Sequence, residues 1–147
     1  MAESDEYFMK EALKEAKKGY EAEEVPIGAI LVIKDKIIAR AFNQVERLND
    51  CTAHAEILAL TSAFSSLGSK YLPGATLYVT IEPCMMCAGA LYWSKIDKVV
   101  YGAADQKHGA FSLAPHEKIL HPKTVLVQNI CGDECAALIK SFFATKR

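Results

Sequence analysis

His54-Ala55-Glu56 and Pro83-Cys84-Met85-Met86-Cys87 are the residues of this 147-residue chain best suited to chemistry. One imidazole and two thiols, at His54, Cys84 and Cys87, are the donor types of a tetrahedral zinc site, and three protein ligands leave a fourth position for water. Zinc lowers the pKa of such a water to about 7, which makes a nucleophile available at neutral pH. Glu56 is not needed as a ligand and is placed to move a proton, help that is worth ~10²–10⁴-fold in rate. Two other readings stay open. Cys84-x-x-Cys87 alone also fits a redox pair. Cys51, three residues before His54, could complete a closed four-ligand structural site and make the chain a non-catalytic zinc-binding module. Neither alternative gives Glu56 a task.

The elements must bring these residues together, and the pattern predicts how. Residues two apart in the middle of a helix point to nearly opposite sides, so His54 and Glu56 can serve one site only at a helix start. Apolar Ile57, Leu60, Phe64 and Leu67 recur at helical spacing over 52–67, and Pro83 suits the first turn of a further helix running through Trp93. Two helix N-termini aimed at a metal favour thiolate over thiol. The second of these helices is apolar nearly all round, which predicts burial, with Trp93 in the core.

Ser4 caps a first helix whose apolar stripe is Phe8, Met9, Ala12, Leu13, Ala16 and Tyr20. Segments 27–33 and 37–42 read as a hairpin turning at Lys34-Asp35-Lys36, and 76–81, 99–101 and 125–128 as further strands. A loop spans 102–122, and a closing helix spans 133–143. The order αββαβαββα, with two strand–helix–strand crossovers, predicts an α/β fold: a three-layer α/β/α sandwich on a five-stranded mixed sheet.

At 147 residues the chain fits one domain, 1–147, with a core that needs no disulfide staples. A composition of 51% hydrophobic and 24% charged residues excludes a disordered or fibrous chain. No apolar run approaches the ~18 residues of a membrane span, and the acidic start lacks a secretory signal, so no membrane and a cytoplasmic location are expected. Five cysteines there suit metal ligation or burial better than disulfides. Cys131 and Cys135 read as packing residues, and His108, His116 and His121 as solvated loop histidines. Net charge is −1, so any nucleic-acid contact must come from a local patch. Residues 1–90 carry 9 basic and 13 acidic side chains, and residues 91–147 carry 8 and 5, which places that patch in the second half.

The His-x-Glu … Pro-Cys-x-x-Cys arrangement is a signature of zinc-dependent nucleobase deaminases. With Glu24-Val25-Pro26-Ile27-Gly28-Ala29, Asn43, Thr52-Ala53-His54-Ala55-Glu56-Ile57, Leu77-Tyr78-Val79-Thr80, Glu82-Pro83-Cys84, Met86-Cys87-Ala88-Gly89-Ala90 and Asp133-Glu134-Cys135-Ala136-Ala137-Leu138, it makes residues 7–145 resemble the bacterial-type tRNA adenosine deaminase family. The resemblance implies a cytidine-deaminase-like fold and one zinc ion per subunit. It also implies a homodimer and conversion of adenosine to inosine at the wobble position of a tRNA anticodon stem-loop. By position it implies that Asn43 hydrogen-bonds the flipped base, and that Pro26, Ile27 and the Ala55 backbone line its pocket. Asp105 and Lys107 would contact flanking nucleotides, and Phe142 and Phe143 would lie on a helix closing over the RNA. Deamination of a free base or nucleoside (guanine, cytosine or cytidine) is the alternative within the same chemistry.

Overall fold

The computed structural model describes residues 4–146. Helix α1 (Asp5–Glu21) starts where the Ser4 hydroxyl accepts the Tyr7 N–H at 3.1 Å. Strands β1 (Gly28–Ile33) and β2 (Lys36–Phe42) then form the expected hairpin. Its two turn residues, Lys34 and Asp35, both have positive φ, 50° and 61°, the sign a type I′ turn requires. After a single helical turn, α2 (Val45–Leu48), come α3 (Ala55–Leu67), β3 (Ala75–Ile81), α4 (Met85–Ser94) and β4 (Lys98–Ala103). A second single turn, α5 (Ala110–Leu113), precedes β5 (Val125–Val127) and α6 (Gly132–Ala144).

The strand order is β2-β1-β3-β4-β5, with β1 antiparallel to both neighbours and β3, β4 and β5 parallel. The mixed sheet is the consequence of connection type: a two-residue turn reverses β2, whereas α4 carries the chain over to a parallel β4. Alternation along the central strands feeds two cores. Ala29, Leu31, Leu77, Val79, Val99 and Tyr101 face α3 and α4, while Ile30, Val32, Tyr78 and Val100 face α1 and α6. This is the predicted three-layer α/β/α architecture. Gly28 marks how tightly α1 lies on β1, since a Cβ there would overlap the Ala12 carbonyl and the Ala16 amide.

Three expectations are corrected by the packing. The buried face of α3 is Ala55, Ala59, Leu60 and Ala63, with Leu67 exposed, because alanines let the helix lie close to the sheet and push its bulky side chains to the flanks. Helix α4 is not buried all round. Only Cys87, Ala88, Leu91 and Ser94 are buried, and Trp93, expected in the core, is 72% exposed. The reason is geometric: in an outer layer a helix meets the sheet along one stripe, and no other described element covers the far side of α4. The segment 102–122 is shorter as a loop than expected, since β4 runs to Ala103 and α5 interrupts it. A one-turn helix such as α2 or α5 has too few residues to show a period in sequence.

Candidate active site

Both motifs lie at helix starts, shifted slightly from expectation. His54 is the residue preceding α3, with extended backbone (φ −74°, ψ 152°), and Cys84 holds the same place before α4 (φ −75°, ψ 174°), so Pro83 lies just outside that helix. An Asx turn prepares the first: the Thr52 amide and hydroxyl donate to Asp50 Oδ1 at 2.8 and 2.7 Å. The Gln44 N–H then donates to the Ala53 carbonyl at 3.0 Å, which brings the end of β2, and Asn43 with it, against the start of α3.

His54, Cys84 and Cys87 converge, with their donor atoms all within 4.8 Å of one another. His54 Nδ1 lies 3.7 Å from Cys84 Sγ and 3.6 Å from Cys87 Sγ. Tetrahedral zinc bonds of about 2.05 Å to nitrogen and about 2.3 Å to sulfur require an N···S separation of about 3.6 Å. The donor set therefore fits zinc in type and in size. Cys51 is exposed and stands outside this cluster. Without metal, the ligands share their protons unevenly: hydrogen bonds from the Cys87 thiol and then from His54 hold Cys84 down at about 3. Cys87 is pushed up, first by its hydrogen bond to Cys84 and then by burial, and His54 is raised by Cys84.

Glu56 is 4% exposed in the first turn of α3, beside these ligands. Burial pushes its carboxyl up to about 7, against opposing pulls from its own amide and from His54. A buried carboxyl beside such a cluster is suited to carrying a proton.

Two hollows share His54 in their linings. The larger, about 720 Å³, is lined by His54, Glu56 and Cys84 on its floor and by residues 103–108 and α6 on its sides. The smaller, about 250 Å³, is bounded by Val25, Ile27, Asn43, Val45, His54 and Ala55. Asn43 is buried there: its side-chain N–H₂ donates to the Val25 carbonyl at 3.4 Å, and its Oδ1 has no hydrogen-bond partner among the described residues. Pro26 is buried between Val25 and Ile27. Asp105, Lys107 and Phe143 line the larger hollow, whereas Phe142 turns inward against Tyr20, ring centroids 5.5 Å apart. His108 is exposed and lines the hollow, His116 is exposed, and His121 is half-buried; Cys135 is buried and Cys131 half-buried. Sequence reasoning passed over Lys140 and Ile139 on the α6 side, and gave no role to Glu82 in the wall of the larger hollow or Glu24 in that of the smaller, both buried. A charged residue at the apolar end of β3 was the one available signal for Glu82.

A zinc-fitting His–Cys–Cys cluster at two helix starts, with a buried glutamate beside it on a three-layer α/β/α sheet, defines a zinc-dependent deaminase. The model of the cytidine and deoxycytidylate deaminase zinc-binding region matches residues 2–103, and the chain belongs to that family. Within it, the tRNA-specific adenosine deaminase of Aquifex aeolicus is 56% identical over 97% of this chain and 95% of its own. A solved structure from work on A-to-I editing by tRNA A34 deaminases at the wobble position superposes with a TM-score of 0.82 at 43% identity, covering 90% of this chain and 98% of that one. The guanine deaminase of Bacillus subtilis reaches a TM-score of 0.67 at 40% identity, over 69% of this chain and 66% of its own.

Proposed function

We propose that this chain is a single-domain hydrolytic deaminase (residues 1–147) that converts adenosine to inosine at the wobble position of a tRNA anticodon. The observation that carries the chemistry is the convergence of His54, Cys84 and Cys87 beside buried Glu56. These three side chains hold one zinc ion per subunit. When bound, zinc supplies the Lewis acidity that lets water act as a nucleophile at neutral pH. Glu56 carries two protons in turn: a carboxylate oxygen takes one from the attacking water and passes it to the ring nitrogen beside the attacked carbon, then takes the remaining proton of the new hydroxyl and delivers it to the departing amine. The carbon–oxygen bond forms, the carbon–nitrogen bond breaks, and ammonia leaves.

The small hollow receives the flipped base. Ile27 and Ala55 give it apolar walls, with buried Pro26 beside Ile27 in the chain, and Asn43 Oδ1, buried without a donor among the described residues, offers an acceptor whose neglect costs about 1–3 kcal/mol until a ligand fills it. Flipping a base to such a site is the usual solution for chemistry on a stacked nucleotide. Asp105, Lys107 and Phe143, at the sides of the larger hollow, meet the flanking nucleotides, with Phe142 behind Phe143 at 5.5 Å between centroids. Lys107 and Lys140 supply local positive charge on a chain whose net charge is −1. A second copy of the chain covers the outward face of α4, where Met85, Met86, Tyr92 and Trp93 are exposed together. Among the described residues no helix is long and apolar enough to cross a membrane, and a tRNA substrate suits the cytoplasm.

The test is incubation of the zinc-loaded enzyme with an anticodon stem-loop bearing wobble adenosine, and separately with free adenosine, guanine and cytidine. Inosine and ammonia are expected from the stem-loop alone. Turnover of a free base without turnover of the stem-loop would overturn the tRNA assignment in favour of free-base deamination.

A further inference from the structure

Glu82 ends up in an environment that the chemistry above does not explain. It follows β3, immediately before Pro83 and Cys84, and is 3% exposed. Its carboxylate is filled by the loop after β4. Oε1 accepts the Asp105 N–H at 3.0 Å and the Ser112 hydroxyl at 2.6 Å, and Oε2 accepts the Ser112 N–H at 2.8 Å. Three of about four lone-pair sites are thus taken by one segment. The chain passes so close at Gly109 that any Cβ would overlap the Glu82 carboxylate and the Asp105 carbonyl.

The backbone on either side is fixed to the same strip. The Glu82 N–H donates to the Ala103 carbonyl at 2.8 Å, the Ala110 N–H donates to the Pro83 carbonyl at 2.9 Å, and Gly109 bridges to Cys84. Between these points lies 104–108, all of which lines the large hollow. A second clamp is nested in the first. Asp105, whose amide Glu82 holds, accepts the Lys107 and His108 N–H groups on its own Oδ1 at 3.1 and 3.0 Å.

We propose that Glu82 is a positioning residue: its carboxylate sets the Asp105–His108 segment in the shape that receives the nucleotide beside the reacting one. The inference rests on the polynucleotide reading given above. Ordering a loop costs backbone entropy, and a clamp built at folding removes that cost from substrate binding. Loss of the clamp therefore falls on KM for RNA, while the reacting groups on α3 and α4 keep their geometry and kcat.

The experiment compares wild type, Glu82→Gln and Ser112→Ala by zinc content, amide hydrogen exchange and steady-state kinetics on the anticodon stem-loop. The glutamine variant turns an N–H₂ toward amides that need an acceptor, whereas the serine variant removes only the hydroxyl bond. In Glu82→Gln, exchange at 105–112 is expected to accelerate and KM to rise about tenfold, with kcat within about twofold and zinc retained. Ser112→Ala is expected to follow in the same direction by a few-fold, and it keeps the test decisive if the glutamine variant does not fold. Faster exchange with unchanged KM would overturn the proposal, as would a fall in kcat with loss of zinc, which would mark Glu82 as a support for Cys84. Exchange unaltered in both variants would remove the clamp itself. A wild type that leaves the stem-loop unconverted would instead bring down the polynucleotide reading and the assigned role, with the exchange data still reporting on the clamp.

Discussion

Glu56 on the floor of the larger hollow, Glu82 in its wall and Glu24 in the wall of the smaller hollow are all buried, yet their surroundings differ in kind. Glu24 accepts the Glu46 and Arg47 N–H groups at 3.0 and 2.7 Å, and Glu82 accepts three donors from the 105–112 loop. Glu56 has its own amide, the cysteines and His54 nearby, and burial dominates, so its carboxyl is pushed up to about 7. A carboxylate given several backbone donors becomes a fixed point for the chain. One left underserved in a dry site becomes a proton carrier. Residue type and burial alone do not separate these uses; the donors do.

The sharpest way to break the comparison is to remove the acid from the floor. Glu56→Ala is expected to keep bound zinc while turnover of the stem-loop falls by ~10²–10⁴-fold or more. Cys51→Ala, made beside it, should keep both metal and rate, because Cys51 lies exposed outside the donor cluster. Metal analysis and single-turnover rates read the outcome. If the Cys51 variant lost zinc and the Glu56 variant stayed active, the metal would be held in a closed structural site and Glu56 would not be the proton carrier.

That floor was legible in the sequence for a physical reason. Metal donors need fixed types at fixed spacings, and a helix start is the one place where His54 and Glu56 can share a site, so four residues and two elements could be read together. The strands were legible because alternation at Ile30, Leu31 and Val32 feeds two cores. The walls were not. Glu24 and Glu82 act through backbone amides of segments far along the chain, and no side-chain pattern announces a backbone donor. Trp93 misled for the converse reason: apolar character shows that a residue avoids water, not which surface covers it.

Stability against pH offers a second cut between floor and walls. In protein stripped of metal, the folded pKa of Glu56, about 7, lies above its ordinary 4.5. As pH rises, the unfolded chain therefore gives up this proton first. The stability tied to the neutral carboxyl is fully present below about pH 4.5 and is lost as pH rises through about 7, on the order of 3 kcal/mol for a shift of this size. Glu56→Gln cannot lose it, so the metal-free variant should match wild type near pH 4.5 and exceed it near pH 8 in denaturant melts, by roughly that amount. A gap independent of pH would show that Glu56 is not the underserved group.

The smallest effect is expected at Glu24, and it tests whether the two walls are equivalent. Glu24 is wholly buried and fixes the start of α2, a single turn that follows Asn43 and borders the small hollow through Val45 and Glu46. Glu24→Gln replaces one acceptor oxygen with an N–H₂ facing an amide, at a cost of about 1–3 kcal/mol in stability. The base pocket keeps its other walls, since Asn43 is anchored independently: its N–H donates to the Ile27 carbonyl at 3.0 Å and its side chain to Val25. A rise in KM of only about two- to threefold should follow, well below the rise expected at Glu82, whose carboxylate takes three donors from the segment that itself lines the larger hollow. Equal KM penalties at Glu24 and Glu82, measured on the same stem-loop, would mean that both walls are set by general packing and that neither carboxylate has a segment of its own to hold.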